Sequence, residues 1–331
     1  MLHTLQARLR ISALAAAVAI IGTTATAQEV RIGAMSEGSS WYVFAATLEQ
    51  IIEPILGNNS VEVIARGGGI ANPMVVQGGK AEIALSNVAS AIWAQQGNDV
   101  YQGMAAPDIQ ALVGGLNDVY VGVMAREAFL EDQGTDDLAA ILQSGKPVRV
   151  LMKPVGSSAV PVADMIFESL GTSVDQIRSD GGDVVQVDSA QIADQIRNGN
   201  ADLYIDTMIK GHPTISEVSL TSDVEFLDLP QVSQDFLSQQ GLTIGTYGPW
   251  FEGQDKPTVG ANLGTVLIAN SSLDEETAYQ ITKALIENAD QLKASNAAWA
   301  QFDPKTSMLI QKTGIPLHPG AERYFREAGL M

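Results

Sequence analysis

Val30-Arg31-Ile32, five residues, Gly38-Ser39-Ser40; then Val148-Arg149-Val150, five residues, Gly156-Ser157-Ser158. The same residue types return at the same spacing 118 positions later (148 − 30). A second echo follows in the same order. Gly79-Lys80-Ala81-Glu82-Ile83-Ala84-Leu85-Ser86 matches Gly199-Asn200-Ala201-Asp202-Leu203-Tyr204-Ile205-Asp206 in type, at an offset of 120 (199 − 79). Duplication and convergence on one βαβ grammar both give such echoes, and either implies two similar halves.

Working outward, each half alternates strand and helix. Val30 to Ala34 is a short β-branched run. After the Gly-Ser-Ser stop, Phe44, Leu48, Ile51, Ile52 and Ile55 fall at helical spacing, which predicts strand, polar loop, amphipathic helix. Val61 to Ala65 is the next predicted strand. Asn72-Pro73 supplies an N-cap and first-turn pair for a helix ending at Gly78-Gly79, before a strand at Ile83 to Leu85 and a helix from about Val88. The second half repeats the pattern: strand 148 to 152, helix 159 to 170, strand 184 to 187. Asp188 and Gln191 then form a capping box for a helix ending at Gly199, and a strand follows over 202 to 205.

Two extended runs, Tyr120 to Ala125 and Gly264 to Ala269, lie where the chain leaves the first half and returns, and they are expected as paired hinge strands. Ser272 and Glu275 are placed as caps of a long helix running through Leu292, with Ile281, Leu285 and Leu292 buried. The expected organisation is α/β: one lobe over 28–122 plus 262–331, and a second over 123–261 inserted between. In such sheets ligands sit beyond the carboxyl ends of the strands, so both Gly-Ser-Ser loops face a shared cleft.

Composition narrows the function classes. With 38 acidic and 19 basic side chains in 331 residues, the formal charge is −19, which repels nucleic acid and anionic bilayers. The absence of cysteine excludes disulfides, thiolate metal sites and cysteine nucleophiles. Residues 1–27 join Arg8 and Arg10 to an apolar run, Ile11 to Ile21, and to Ala25-Thr26-Ala27, the pattern of a cleaved secretory leader. The apolar run falls short of the roughly 20 residues that span a bilayer. Cleavage after Ala27 leaves 17 basic and 38 acidic groups, a net charge of 17 − 38 = −21. An exported chain without disulfides suits a bacterial periplasm.

Three strand-to-helix junctions are expected at the cleft: Ser36 to Tyr42, Ser86 to Val88, and Val155 to Ala159. Each offers unpaired N–H groups and a positive helix end, with hydroxyls or amides from Ser39, Ser40, Ser86, Asn87, Ser157 and Ser158. One such junction is ordinary capping; three converging from two halves suit a carboxylate. Lys153 and Arg66, which opens Arg66-Gly67-Gly68-Gly69, are candidate partners for it. Asp206 and Thr207 end the strand that echoes Ser86 and Asn87, and an acid there suits a ligand ammonium or hydroxyl. Trp41, Tyr42, Tyr204, Tyr247 and Trp250 are the aromatics expected to wall the pocket.

Catalytic signatures are missing. His212 and His318 each sit beside proline in turn-like contexts and are expected to be structural, and no G-x-S-x-G, S-x-x-K, H-E-x-x-H or Walker loop occurs. Gly67-Gly68-Gly69 lacks the Lys-Ser/Thr that completes a phosphate loop. No cofactor and no metal are expected.

Gly33-Ala34-Met35-Ser36-Glu37-Gly38-Ser39-Ser40-Trp41-Tyr42 resembles the first ligand loop of the TAXI-type solute receptors of TRAP (tripartite ATP-independent periplasmic) transporters. Thr246-Tyr247 with Gly253-Gln254-Asp255-Lys256-Pro257-Thr258-Val259-Gly260 is similar to a late signature of that family, as is Ile315-Pro316-Leu317-His318-Pro319-Gly320-Ala321-Glu322-Arg323-Tyr324-Phe325. The resemblance extends over the whole mature chain. It implies a monomeric, non-enzymatic periplasmic binding protein of the two-lobed type II fold, with hinge strands and a central ligand cleft, that delivers a small anionic solute to integral-membrane permease subunits. The runner-up is a binding protein of an ATP-driven importer or of a membrane sensor kinase.

Three positions depart from that family's pattern. Ser39-Ser40 and Trp41-Tyr42 replace a glycine-richer loop with a Tyr-Tyr pair, Arg66 replaces a small polar residue, and Lys153 precedes Pro154 where a small residue is commoner. The added cations favour a dicarboxylate over a monocarboxylate or a neutral amino acid. Glutamate, glutamine and 2-oxoglutarate are the ligand types associated with the family. The residues expected to contact ligand are Ser39, Ser40, Trp41, Tyr42, Arg66, Gly67, Ser86, Asn87, Lys153, Ser157, Ser158, Ala159, Asp206, Thr207 and Tyr247.

Overall fold

Apolar and β-branched runs build twelve strands among the described residues, 29–331, of a computed structural model: β1 (Val30–Ala34), β2 (Val61–Gly67), β3 (Ile83–Ser86), β4 (Ile109–Val113), β5 (Tyr120–Arg126), β6 (Arg149–Met152), β7 (Asp183–Gln186), β8 (Leu203–Met208), β9 (Val224–Leu227), β10 (Thr243–Tyr247), β11 (Thr258–Asn262) and β12 (Val266–Asn270). The leader expected over 1–27 lies outside the described residues. One sheet has the order β2-β1-β3-β12-β4; the other runs β10-β11-β5-β8-β6-β7, with β9 also paired to β5. Strand β1 is parallel to β2 and β3, and β6 is parallel to β7 and β8, while β12 and β5 run antiparallel to their neighbours. Each sheet with its helices is an α/β unit.

Every residue of β3 is buried, as expected for a strand covered on both faces. In the second sheet the two faces are visible in the alternation. Val123, Val150, Leu203 and Ile205 join the large apolar cluster shared with the first unit, whereas Met124, Leu151, Tyr204 and Met208 join a second cluster on the opposite face. The edge strand β7 exposes Asp183, Val185 and Gln186, consistent with its place at the rim.

The helix Ser40–Leu56 forms as expected, capped by the Ser39 hydroxyl accepting from the Tyr42 N–H, with Phe44, Leu48, Ile51 and Ile52 buried. Ile55 of the expected apolar stripe is exposed, at the last turn before Gly57. Three caps differ from expectation. Asn72 lies inside the helix Ala71–Gln77 and faces the strand ends instead. Asp188 occupies the N-cap of Ser189–Arg197 without a side-chain bond, so no capping box closes. The helix expected to start from Ser272 and Glu275 is capped by Asp274 and ends at Glu287, a separate helix covering Ala289–Ser295. Asp274 wins because its carboxylate reaches the Thr277 N–H at 2.9 Å.

The hinge is also corrected. Tyr120 to Ala125 and Gly264 to Ala269 do not pair with each other: β5 belongs to the second sheet and β12 to the first. What pairs is the chain between sheets, where the Leu263 N–H donates to the Val119 carbonyl (2.8 Å) and the Leu116 N–H to that of Thr265 (3.2 Å). The Asn262 side chain adds a clamp, accepting from the Val119 N–H (3.1 Å) and donating to Asp118 (2.8 Å). Apolar patterning marks a run as a strand but carries no label for its partner.

Candidate functional site

The loops after β1 and β6 meet where the two units touch, around a cavity of about 20 Å³. Met35, Ser39, Ser40 and Trp41 line it from the first loop, and Lys153, Ser157 and Ser158 from the second. Thr207 at the end of β8, with Ile209 and His212 beyond, closes a third side; Gly69 and Val119 complete the wall. The volume holds one water at most, so an organic acid enters only if the units part. A larger groove of about 620 Å³ lies among Asn117, Leu263 and residues 310–314, and none of the sequence-predicted residues line it.

The four serines are buried and mostly engaged. Ser39 caps its helix, and the Ser157 hydroxyl accepts from the Ala159 N–H at 3.3 Å. Ser158 donates across the gap to the Asn87 side-chain oxygen, whose amide nitrogen in turn donates to the Gly264 carbonyl at 2.7 Å. Ser40 differs: its hydroxyl is buried on the cavity wall with no partner. A buried hydroxyl without a bond costs stability unless something completes it.

Behind the wall lies a buried charged cluster. Lys153 Nζ is 2.9 Å from Asp206 Oδ2 and 2.9 Å from His212 Nε2, and all three side chains are almost fully buried. Asp206 also accepts from the Tyr204 hydroxyl, from the Thr207 N–H (2.6 Å) and from the Thr207 hydroxyl (3.2 Å). Burial pushes the Asp206 carboxyl up, but Lys153, His212 and the Tyr204 hydroxyl outweigh it and hold the group below the ordinary carboxylate range. Burial, with Lys153 next, lowers His212 to about 3, so the ring is neutral. Its Nδ1 lies 3.4 Å from the Ile215 N–H at the start of the helix Pro213–Thr221, but a neutral ring accepts on one nitrogen only, and the Lys153 ammonium, which can only donate, takes Nε2.

The structure therefore brings Ser39, Ser40, Trp41, Lys153, Ser157, Ser158 and Thr207 onto one cavity. Gly67, Asn87, Ala159 and Asp206 stand immediately behind it. Tyr42 is half-buried off the wall, and Arg66 is exposed outside the cavity with no ion pair among the described residues. Ser86 is buried in β3, its hydroxyl on the Asn87 carbonyl at 3.2 Å. Tyr204 and Tyr247 belong to the cluster on the far face of the second sheet, where Tyr247 stacks on Tyr120 at 5.4 Å, and Trp250 packs beside them. The expected aromatic wall thus reduces to Trp41. Alternation explains it: Tyr204 and Asp206 share one face of β8 and Thr207 takes the other. Asp206, with four donors on two oxygens, has no acceptor site left for a ligand ammonium. His212 was expected to be only structural; nothing in its His-Pro context signals a place on the wall, which depends on β6 and β8 being neighbours.

Closure is stitched by backbone. The Ile70 N–H donates to the Gly156 carbonyl at 3.0 Å, and Trp93 Nε1 donates to the Gln240 carbonyl at 3.2 Å.

A family model described as the NMT1-like family matches residues 32–329. Among solved structures, a protein of Bordetella bronchiseptica RB50 shares 16% identity at a TM-score of 0.51, over 90% of this chain and 88% of that one. A structure described as a periplasmic transporter shares 11% identity at a TM-score of 0.50, over 91% and 92%. The periplasmic aliphatic sulphonate binding protein SsuA from Escherichia coli aligns at 13% identity with a TM-score of 0.43, over 90% and 78%. The fold, two mixed α/β units each built on its own sheet, is of the periplasmic-binding-protein kind.

Proposed function

The chain belongs to the NMT1-like family, and on that premise we propose that it is a periplasmic solute receptor, not an enzyme, that closes two lobes on a small carboxylate. The observation that carries this reading is that both serine loops, one from each half of the repeat, line one cavity together with Lys153. Helix N-termini and buried hydroxyls are suited to an oxyanion, and the unpartnered Ser40 hydroxyl is a donor in waiting. The lobes, expected over 28–122 plus 262–331 and over 123–261, divide and move instead at the two crossings 114–119 and 263–265, because β5 and β11 lie wholly in the second sheet. The leader at 1–27 directs export.

The case for a dicarboxylate such as glutamate or 2-oxoglutarate rested on two cations. Arg66 stands outside the cavity and Lys153 is matched by Asp206, so the reading kept here is a small carboxylate, without that second anchor. The TAXI-like stretches at 33–42, 246–260 and 315–325 support a TRAP-type permease as the partner. Uptake that collapses with the ion gradient and survives ATP depletion is the expected result; dependence on ATP assigns the receptor to an ATP-driven importer instead.

For the ligand class, the mature protein is screened by thermal shift and tryptophan fluorescence, with Trp41 on the wall as reporter. A response to organic acids is expected. A response confined to sugars or cations rejects the class. Ser157→Ala with Ser158→Ala is expected to weaken binding with little change in apo melting temperature; equal loss of apo stability makes both hydroxyls structural only.

A further inference from the structure

We infer that Asp206 is the specificity determinant of the cavity, limiting its ligand to a single carboxylate and excluding both dicarboxylates and amino acids. The inference rests on the reading of the cavity as a carboxylate site. Lys153 is the one Lys or Arg on the cavity wall, and Asp206 lies 2.9 Å behind it with both side chains out of solvent. The pair is close to neutral as a unit. Of the three ammonium donors, one is directed to Asp206 and one to His212, which leaves one for a ligand oxygen. The Ser40 hydroxyl on the facing loop has no partner, and the Ser39 and Ser157 hydroxyls, which only accept, keep their O–H free as neutral donors.

One carboxylate takes the remaining Lys153 donor, the one charged donor on the wall, and leaves only neutral hydroxyls. A second carboxylate finds no further cation on the wall and meets the field of Asp206 in a region where charges are weakly screened. A ligand ammonium has no better prospect. The Asp206 oxygens are taken by Lys153, Tyr204, and the Thr207 N–H and hydroxyl, and the one acceptor nitrogen of the neutral His212 ring is taken by Lys153. The rest of the wall sets the apolar side chains Met35, Trp41, Val119 and Ile209 among neutral hydroxyls, Ser39 and Ser157 included. The substrate class that fits is a short monocarboxylate carrying a hydroxyl or keto group rather than an amine.

The test is isothermal titration of the mature protein with pyruvate, lactate, succinate, 2-oxoglutarate and glutamate, for the wild type, Asp206→Asn, and the double variant Lys153→Met/Asp206→Leu. The wild type is expected to prefer the monocarboxylates by at least about tenfold, equivalent to 1.4 kcal/mol. Asp206→Asn keeps the shape and frees the Lys153 charge, so the ratio shifts toward succinate and 2-oxoglutarate by about tenfold or more. The double variant exchanges a buried ion pair for apolar groups of similar volume, folds even where Asp206→Asn does not, and loses every carboxylate. Tighter binding of dicarboxylates by the wild type, with a ratio unmoved in Asp206→Asn, overturns the charge limit and leaves the carboxylate receptor standing. Wild-type affinity in the double variant also overturns it. Silence toward all five acids, with a thermal shift from sugars or cations, overturns the receptor reading itself and the inference with it.

Discussion

Arg149 holds Asp202 through its backbone N–H and its Nε, both at 2.9 Å, and extends Nη1 to the Gly199 carbonyl at 2.6 Å. Arg31 treats Glu82 in the same way, at 2.8 and 3.0 Å, and reaches the Gly79 carbonyl at 2.9 Å. The sequence repeat is therefore one ion-pair clamp used twice, tying the first strand of each half to the turn that precedes its third. Asp202 is the more buried acid and also receives Arg126 at 3.2 Å. Burial pushes its carboxyl up, and the Arg149 bonds outweigh that and hold it below the ordinary range. Such a group stabilises the fold above its unfolded value near 3.9, and that contribution fades as pH falls through the lower folded value. Asp202→Asn is expected to cost about 2 kcal/mol at pH 7 in urea unfolding, with a smaller gap to wild type at pH 3.

Gly69 stands where a Cβ would lie 2.3 Å from the Asn87 side-chain oxygen and 2.4 Å from the Ser158 hydroxyl. Its neighbour Gly68 has φ +136° and comes as close to the Gly156 carbonyl. The triple glycine that fails as a phosphate loop is thus the seam on which the units close. Gly69→Ala avoids the backbone strain of Gly68→Ala, and its methyl meets Ser158 across the seam and Asn87 within its own unit. Ligand affinity is expected to fall about tenfold or more from the contact with Ser158, together with a fall in apo melting temperature from the contact with Asn87. Small-angle scattering that shows the variant compacting with ligand as fully as wild type refutes the idea.

Asn72 donates to the carbonyls of Gly33 (3.3 Å), Ala34 (2.9 Å) and Leu85 (2.7 Å) and accepts from the Gly68 N–H (3.1 Å), with no exposed surface. It stitches the ends of β1, β2 and β3 directly beneath the first serine loop. Asn72→Ala orphans these groups, and a loss of about 3 kcal/mol in unfolding free energy, measured by urea titration, is expected.

His212 is neutral in the fold and free to protonate when unfolded. Below the unfolded value of 6.5 the unfolded chain binds a proton that the native chain does not bind until about pH 3, so stability is full above 6.5 and falls toward 3. The slope approaches about 1.4 kcal/mol per pH unit for this residue. Desolvation lowers His318 too, which adds to the same window, whereas Asp206 contributes only below about 3.9. His212→Asn keeps a neutral polar side chain at the helix start without a titrating group, and its melting temperature is expected to fall less than that of wild type between pH 6.5 and 4.

Much of the fold is legible in the chain because its signals are local. The β-branched runs, the glycine stops and the Ser39 cap each act within a few residues, so β1, β3, β6 and β8 and the helices after them fall where patterning puts them. Caps were less legible: Ser272, Glu275 and Asp274 compete within four positions, and only the bond to the Thr277 N–H decides. Of the residues expected to contact ligand, the serines of the two loops and Lys153 reach the cavity wall because the repeat marks strand ends. Arg66, Tyr42 and Tyr247 lie off that wall because the face on which a side chain emerges depends on register.

By itself, then, the sequence determined two α/β halves with matched strand-end loops, since hydrophobic period and turn chemistry need no distant partner. Only the tertiary structure decided that the Lys153 charge is answered by Asp206, that His212 joins them and that Gly69 abuts Ser158. Those contacts span 53, 59 and 89 positions (206 − 153, 212 − 153 and 158 − 69), and they exist because β6 lies beside β8 and one unit closes on the other, which no local propensity encodes.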